Sequence, residues 1–277
     1  GGVGTVLTFL PILLLFFLAM GILEDTGYMA RAAYVMDRFM HAIGLHGKSF
    51  LPLFLGFGCN VPAIMGARVV ESPRGRLLTI MLAPLVPCAA RLGIVAVLSP
   101  VFFPARPALM AWVLTALPLV VLALGGLLAH HAIFRGEQAA FIMELPLYHV
   151  PNWRTIGISV WERLLAFLQK AATVIMAASV LVWLLASVPT GDIETSVLAS
   201  IGRFLEPIGA LMGLGWRALV ALLASFAAKE NSIAVLGVLY GSGQGGASLT
   251  EALRASLTPA AGLAFLVVQM LFIPCVS

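Results

Sequence analysis

The sequence predicts an all-α polytopic membrane protein with two gate-type repeats, whose helices are discontinuous (broken or re-entrant). Three observations predict this class. Hydrophobic residues make up 61% of the 277 residues and charged residues only 10%, whereas soluble domains carry about 25% charged residues. Prolines and glycines interrupt several apolar segments, and a Lys-Glu-Asn triplet lies between two apolar runs. Polar groups at membrane depth are costly and are functional by default.

The first elements are a membrane span over residues 5–23 and an amphipathic helix over 29–43 that does not cross. Glu24 and Asp25 follow the span. They are either ordinary interfacial charges or oxygen ligands at the mouth of a cavity. The Gly-Lys-Ser run ending at Ser49 is not a P-loop, because that pattern requires glycine at position 42, which is alanine.

The segment 50–70 contains the first predicted break. Gly58, Cys59, Asn60 and Pro62 stand in the middle of an otherwise apolar run, which does not suit an uninterrupted lipid-facing helix. Backbone groups freed at membrane depth are tolerated only where protein or a water-filled cavity surrounds them. The break is therefore a candidate permeation site; the alternative is a structural helix kinked by proline.

Two further apolar segments are interrupted in the same way. Segment 77–98 is broken at Pro87-Cys88, three residues before Arg91, and the last segment is broken at Pro274-Cys275. All three cysteines thus lie at or near predicted breaks. Their odd number and apolar surroundings argue against a disulfide framework, so we interpret them as thiols.

The middle of the chain predicts two more spans, over 108–130 and 166–188, on either side of a basic connection. Lysine and arginine concentrate on the cytoplasmic side of membrane proteins, so the connection 135–165 is predicted to be cytoplasmic. Residues 1–134 then form a first gate repeat with breaks at 50–70 and 77–98. Residues 166–277 form a second, truncated at its last helix.

The second repeat is centred on Lys229, Glu230 and Asn231. Each repeat has a broken segment with a central asparagine, then a segment broken at Pro-Cys. Such paired interruptions in two halves indicate a transporter site at the repeat interface. The alternative is a structural Lys229–Glu230 pair that neutralises itself.

Several motifs together resemble the membrane domain of FeoB, the family of bacterial ferrous iron transporters. The motifs are Glu24-Asp25-Thr26-Gly27-Tyr28-Met29-Ala30-Arg31-Ala32-Ala33, Gly44-Leu45-His46-Gly47-Lys48-Ser49, Gly58-Cys59-Asn60-Val61-Pro62-Ala63, Met143-Glu144-Leu145-Pro146, Ala228-Lys229-Glu230-Asn231 and Pro274-Cys275. The resemblance implies Fe²⁺ uptake across the inner membrane through paired gate regions, with the gate cysteines as metal contacts.

The same resemblance implies partners outside this chain. In that family a GTP-binding domain precedes the membrane part, so we expect GTP to act only through a domain missing here, and the chain to be a fragment of a larger multi-pass protein of the inner membrane. Small Feo accessory proteins, the lipid bilayer and a homo-oligomer are the other expected partners. No permanently bound cofactor is expected. No nucleic-acid partner is expected either, since the sequence has no basic cluster with interleaved aromatic residues.

The predicted substrate path combines thiols with oxygen donors. Its residues are Cys59, Asn60, Cys88, Glu230, Asn231 and Cys275. Among these, the predicted metal ligands are the three cysteines and Glu230, with Glu24 and Asp25 as further ligands. Fe²⁺ accepts thiolate and carboxylate ligands, whereas Mg²⁺ and Ca²⁺ prefer oxygen alone.

Other functions stay open at this point. Mn²⁺ and Zn²⁺ suit a similar donor set, and a gate-fold transporter of an organic solute such as a nucleoside is a second hypothesis. A membrane enzyme or scaffold is a third, but the sequence shows no catalytic constellation in suitable spacing. We therefore predict a transporter and no enzymatic activity for this chain.

Overall fold

The structure is a computed structural model that describes residues 2–132, 148, 150–187, 196–226, 229, 231–241 and 249–272. Within these ranges every regular element is helical. The α-helices are α1 (Gly2–Asp25), α2 (Tyr28–Ala42), α3 (Phe50–Gly58), α4 (Asn60–Gly66), α5 (Pro73–Leu82), α6 (Ala89–Phe102), α7 (Pro107–Ala132), α8 (Trp153–Ser187), α9 (Val197–Ala210), α10 (Trp216–Ser225), α11 (Asn231–Gly241), α12 (Leu249–Ser256) and α13 (Pro259–Leu271). Short 3₁₀ helices occupy Gly47–Ser49, Ala67–Val69 and Ala83–Leu85.

Among the described residues, two helical stretches are long and apolar enough to cross a membrane. They are Pro73–Phe102, which contains α5 and α6, and Pro107–Ala129 in α7. The pair α12 and α13 bends by 108° and would count as a third crossing if it forms one broken span. The chain is a membrane protein, and the predicted all-α fold with discontinuous helices is confirmed.

The helices form two compact units. The first unit contains residues 6–89 and 118–170, and the second contains 1–5, 90–117 and 171–277. Both units are therefore assembled from separate stretches of chain.

Part of the first unit forms where α1 meets the beginning of α8. Phe17 of α1 packs against Ile156, Val160 and Leu164, which recur every four residues along one face of α8. Gly21 allows this close approach, since an added Cβ would lie 3.2 Å from Ile156. Residues 153–165 of the predicted connection are thus helical.

A second cluster of the first unit joins α5 and α7 to the end of α2. Leu82 and Leu122 are buried in this cluster, and Ile43 packs against it. Gly126 of α7 lies directly on the chain after α2, because a Cβ added there would be 2.6 Å from the carbonyl oxygen of Ile43. A helix and a backbone carbonyl can approach this closely only where the side chain is absent.

The second unit has the largest core, formed by α6, α9 to α13 and the first part of α7. Arg91 lies in this unit, and it is fully buried. The helix that carries it, α6, ends because a donor is missing. In a longer helix the carbonyl of Pro100 would accept from the N–H of residue 104, but residue 104 is a proline and has no N–H. Arg254 of α12 replaces the missing donors, with Nη2 donating to Pro100 (3.1 Å) and Nε to Val101 (2.9 Å).

Candidate functional site

The first break lies at Cys59, between α3 and α4. Cys59 is extended (φ −151°, ψ 132°), whereas the residues on both sides are helical. Pro62 explains the position, because it has no N–H to bond the carbonyl of Gly58, while a proline near the beginning of α4 costs no helical bond. The Cys59 N–H closes α3 on Leu55 (3.0 Å). The predicted break at Cys59 is therefore confirmed.

The second break covers residues 86–88, between the 3₁₀ turn after α5 and the beginning of α6. Pro87 cannot donate to the carbonyl of Ala83, and the N–H of Val86 bonds to that carbonyl instead (3.1 Å). Cys88 is buried at the end of the break. Cys59 and Cys88 are both present as thiols.

A carboxamide connects these two breaks. Asn60 is buried, and its Nδ2 donates to the carbonyl oxygen of Pro84, at 3.4 Å. The sequence places Asn60 and Cys88 in separate segments 28 residues apart, and the structure brings these segments together within one unit. Gly56 keeps them close, because a Cβ there would lie 3.0 Å from Val86.

The ring of Phe16 in α1 fills the space beside the first break. It lies so close to Gly58 that an added Cβ would collide with three of its ring carbons. The residue before Cys59 must therefore be glycine in this arrangement. The sequence analysis assigned Gly58 only to the interruption, and the contact with α1 was not predicted.

The third break separates α10 and α11. Lys229 lies in it, and its side chain is fully buried. Its carbonyl oxygen accepts from Ser232 Oγ (2.9 Å), Ser232 N–H (3.2 Å) and Gln269 Nε2 (3.4 Å). Gln269 of α13 also bonds through Oε1 to the hydroxyl of Ser225 at the end of α10 (3.1 Å). The predicted interruption before Asn231 is confirmed.

The sequence analysis missed Gln269, Ser225 and Ser232. Gln269 carried a usable signal, because it is the only polar residue in the sequence of α13. A lone carboxamide in an apolar membrane helix needs a hydrogen-bond partner. The two serines carried no such signal, since serine is common in membrane helices without a specific role.

The remaining predicted path residues are only partly described. Asn231 is the first residue of α11, while Glu230, Cys275 and the side chain of Asn231 lie outside the described residues. Within the described part of the chain, no three His, Cys, Asp or Glu side chains are grouped so that they hold a metal ion. The complete ligand set therefore stays a prediction.

Glu24 contacts a side chain of α8, and Asp25 contacts the backbone of Asn152, the residue before that helix. Glu24 Oε2 pairs with Arg163 Nη2 at 2.9 Å, and Asp25 Oδ2 accepts the N–H of Asn152 at 2.8 Å. Both contacts join the end of α1 to the beginning of α8. A role of these carboxylates as metal ligands stays a prediction.

A polar cluster lies where α2 approaches the beginning of the first broken segment. His46 Nδ1 accepts the N–H of Lys48 (3.2 Å) and so caps the 3₁₀ turn. Lys48 Nζ pairs with Glu71 (2.6 Å), and His41 Nδ1 pairs with Asp37 (3.0 Å). Burial, together with the nearby His41 and Lys48, lowers the pKa of His46 below its usual 6.5.

We expect stability to fall as the pH drops below 6.5, because the unfolded chain then binds a proton at His46 that the folded protein resists. Protonation of Nδ1 also removes the acceptor for Lys48. The His46→Asn variant keeps a side-chain acceptor at a cap position but does not titrate. Its thermal midpoint in detergent should therefore fall less between pH 7.5 and 5 than that of the parent.

His131→Asn, at an exposed histidine of α7, is the matched control and should keep the parental pH dependence. The Lys48 side chain lowers the pKa of Glu71 below 4.5, so the stability that this carboxylate contributes is lost only below the chosen pH range. Equal pH dependence in the His46→Asn variant and the parent would contradict the prediction.

These observations define a helical membrane protein built around interrupted helices. Residues 6–101 and 168–277 match the Gate family, described as "Nucleoside recognition", and residues 109–163 match "Ferrous iron transport protein B C terminus". The chain therefore belongs to the Gate family. No solved structure matches it.

Curated relatives confirm the resemblance to the membrane domain of FeoB. The chain is 44% identical over 248 residues to the Fe(2+) transporter FeoB of Salmonella typhimurium, covering 87% of this chain and 32% of the relative. It is 40% identical over 281 aligned positions to the Fe(2+) transporter FeoB of Staphylococcus aureus, covering 100% of this chain and 42% of the relative. The chain thus spans less than half the length of these relatives.

Proposed function

We propose that this chain is the permease part of a FeoB-type transporter, which moves Fe²⁺ across the bacterial inner membrane as a multi-pass protein. One observation carries the proposal. The chain is 40–44% identical to proteins named Fe(2+) transporter FeoB, and two of its thiols, Cys59 and Cys88, lie at two helix breaks of the same unit. A hydrogen bond from Asn60 connects these two breaks.

The donor set suits transport of a borderline cation. A permeating Fe²⁺ must replace part of its hydration shell, yet the site must release it. One or two thiols from Cys59, Cys88 and Cys275, with oxygen ligands, bind less tightly than a closed thiolate cage. In this proposal Glu230 supplies charge, and carboxamide oxygens come from Asn60 and Asn231. The Asn60 bond to Pro84 uses the amide nitrogen of that side chain.

The proposed organisation follows the repeat. Residues 1–134 and 166–277 are the two gates, and 135–165 form a connection on the cytoplasmic side, as its basic residues favour. GTP acts only through a separate domain, so no hydrolytic step is assigned to this chain. Small Feo accessory proteins and a second copy of the transporter are further proposed partners.

The description of the Gate family favours one other function, transport of a nucleoside. Nucleoside recognition requires flat stacking groups and several hydrogen bonds in one pocket. The residues that mark the broken segments are instead thiols, carboxamides and one carboxylate, which are metal-type donors. Among metals, Mn²⁺ and Zn²⁺ are the alternatives to Fe²⁺.

The test is uptake by the full-length transporter in liposomes with GTP present. We expect uptake of ⁵⁵Fe²⁺ that exceeds that of Mn²⁺, Zn²⁺ and radiolabelled uridine, each measured separately at equal concentration. Protein-free liposomes set the background. Uridine uptake without Fe²⁺ uptake would replace the proposal with nucleoside transport, and uptake of Mn²⁺ or Zn²⁺ above that of Fe²⁺ would assign another substrate metal.

A further inference from the structure

We propose that α2 and α9 are equivalent interfacial helices, one in each repeat, and that the exposed face of each lies among the phospholipid headgroups of the bilayer. This placement does not depend on which ion or solute the protein moves. Three features of the helices support it: how each helix ends, which residues it buries, and how long it is.

The two helices end in the same way. Each is followed by a glycine with a left-handed backbone, Gly44 (φ 77°) after α2 and Gly213 (φ 70°) after α9. Each glycine N–H bonds to the carbonyl three residues earlier, at 3.0 and 3.1 Å. The next residues are the buried Leu45 and Leu214, whose N–H groups bond to the carbonyl five residues earlier, at 2.8 and 2.9 Å. Both ends are therefore Schellman motifs.

When the two glycines are aligned, the helices correspond along their whole length. Their first residues, Tyr28 and Val197, then coincide. The single carboxylate of each helix also falls at the same position, as Asp37 and Glu206. Buried residues match buried ones and exposed residues match exposed ones: Met29 with Leu198, Ala33 with Gly202, and Val35 with Phe204. α2 and α9 are thus the same element of the two repeats.

The exposed apolar residues of each helix lie on one face, because they recur at spacings of three, four or seven residues. They are all more than a third exposed: Tyr28, Val35 and Phe39 on α2, and Ile201, Phe204 and Leu211 on α9. An exposed arginine flanks each stripe, Arg38 or Arg203, whereas the single carboxylate of each helix is half-buried. Apolar residues with a flanking cation suit the phosphate-bearing surface of a bilayer.

Neither helix is long enough to cross the bilayer. They have 15 and 14 residues and are about 21–23 Å long, whereas the hydrocarbon core is about 30 Å thick. α2 begins three residues after α1 ends, and there Glu24 pairs with Arg163 at 2.9 Å. Charged groups are costly in the hydrocarbon core, so this pair indicates that α2 begins at the membrane surface.

Interfacial helices at these positions set the depth of two breaks. α3 follows α2 and has 9 residues before the break at Cys59, and α10 follows α9 and has 10 residues before the break at Lys229. Each is about 14–15 Å long, half the thickness of the hydrocarbon core. A helix of this length that starts at the headgroups and runs inward ends near the midplane, where transporters bind their substrates.

The experiment is photocrosslinking of the full-length protein in nanodiscs that contain phosphatidylethanolamine and phosphatidylglycerol. p-Benzoylphenylalanine replaces Phe39 in one variant and Phe204 in another, both at exposed positions. We expect adducts of one phospholipid at both positions, measured as the intact mass of the protein after irradiation. Adding Arg38→Gln to the first variant should lower the share of phosphatidylglycerol in its adducts by about fivefold, the factor that corresponds to one arginine near an anionic surface.

Met40 is the matched control position. It neighbours Phe39 but packs against a buried cluster of the first unit, so p-benzoylphenylalanine at Met40 should react within the protein and add no lipid mass. Equal lipid yields at Met40 and Phe39 would overturn the proposal. So would the absence of lipid adducts at Phe39 and Phe204, which would place these faces in water, or adducts to a second protein chain.

Two further outcomes test the parts of the proposal separately. Lipid adducts at only one of Phe39 and Phe204 would overturn the equivalence of α2 and α9. An unchanged share of phosphatidylglycerol in the Arg38→Gln variant would overturn the contact of α2 with the headgroups.

Discussion

Replacing Cys59 or Cys88 by serine is expected to reduce Fe²⁺ uptake by about tenfold or more, since even substitutions outside the ligand shell of a metal site cost roughly 10–100-fold in affinity. Serine keeps the size of the side chain and offers a harder oxygen. The remaining uptake should therefore shift from Fe²⁺ toward Mn²⁺. Initial rates for both ions in liposomes, at equal amounts of inserted protein, measure this.

Two comparisons separate a ligand role from packing. Cys→Ala at the same positions should lower Fe²⁺ uptake without the shift toward Mn²⁺, since alanine offers no oxygen. Glu230→Gln should lower the uptake of both ions in proportion, because it removes charge that any divalent cation uses. Cys59→Ser and Cys88→Ser variants with unaltered Fe²⁺ rate and selectivity would show that these thiols only pack. Cys88 is buried, so insertion of its variants must be measured separately.

Alanine at Gly126 is expected to destabilise the protein by about 1–3 kcal/mol, the usual cost of overpacking. The added Cβ would lie 2.6 Å from the carbonyl oxygen of Ile43, and a backbone group cannot rotate away. The gain in helix propensity, about 1 kcal/mol, offsets only part of this cost. The thermal midpoint in detergent should fall by several degrees.

The neighbouring Gly125 provides the control. A Cβ there would meet only the end of the Leu82 side chain, at 3.3 Å, and that methyl group can shift by a few tenths of an ångström. Gly125→Ala has the same propensity gain in the same helix and should leave stability unchanged or slightly higher. Equal midpoints for the two variants would show that the contact between α7 and Ile43 does not limit stability.

The breaks differ in how far the sequence predicts them. At Cys59 and Cys88 the cause is local, because a proline without an N–H lies within three residues of each cysteine, and the positions of these breaks could be predicted. At Lys229 the sequence showed an expensive polar triplet but no residue that stops a helix. Gln269, 40 residues later, donates to the carbonyl of Lys229 in this break, and such a pairing cannot be predicted without the fold.

The sequence predicts which residues mark the candidate site better than it predicts how these residues are arranged. That Asn60 marks a special position follows from a carboxamide in an apolar run, but its bond to Pro84 depends on how two segments pack. Glu24 and Asp25 illustrate the reverse case. Adjacent carboxylates suggest metal ligands, and only the structure shows Arg163 and the N–H of Asn152 beside them.

The end of α6 has a consequence for the time course of biosynthesis. Arg254 bonds to carbonyls 153 and 154 residues earlier in the chain. At about 5–20 residues per second, the ribosome needs roughly 8–30 s to add that length. During this interval the carbonyls of Pro100 and Val101 lack the guanidinium that satisfies them in the finished protein. Until Arg254 arrives, water or another donor has to satisfy these last carbonyls of the nascent α6.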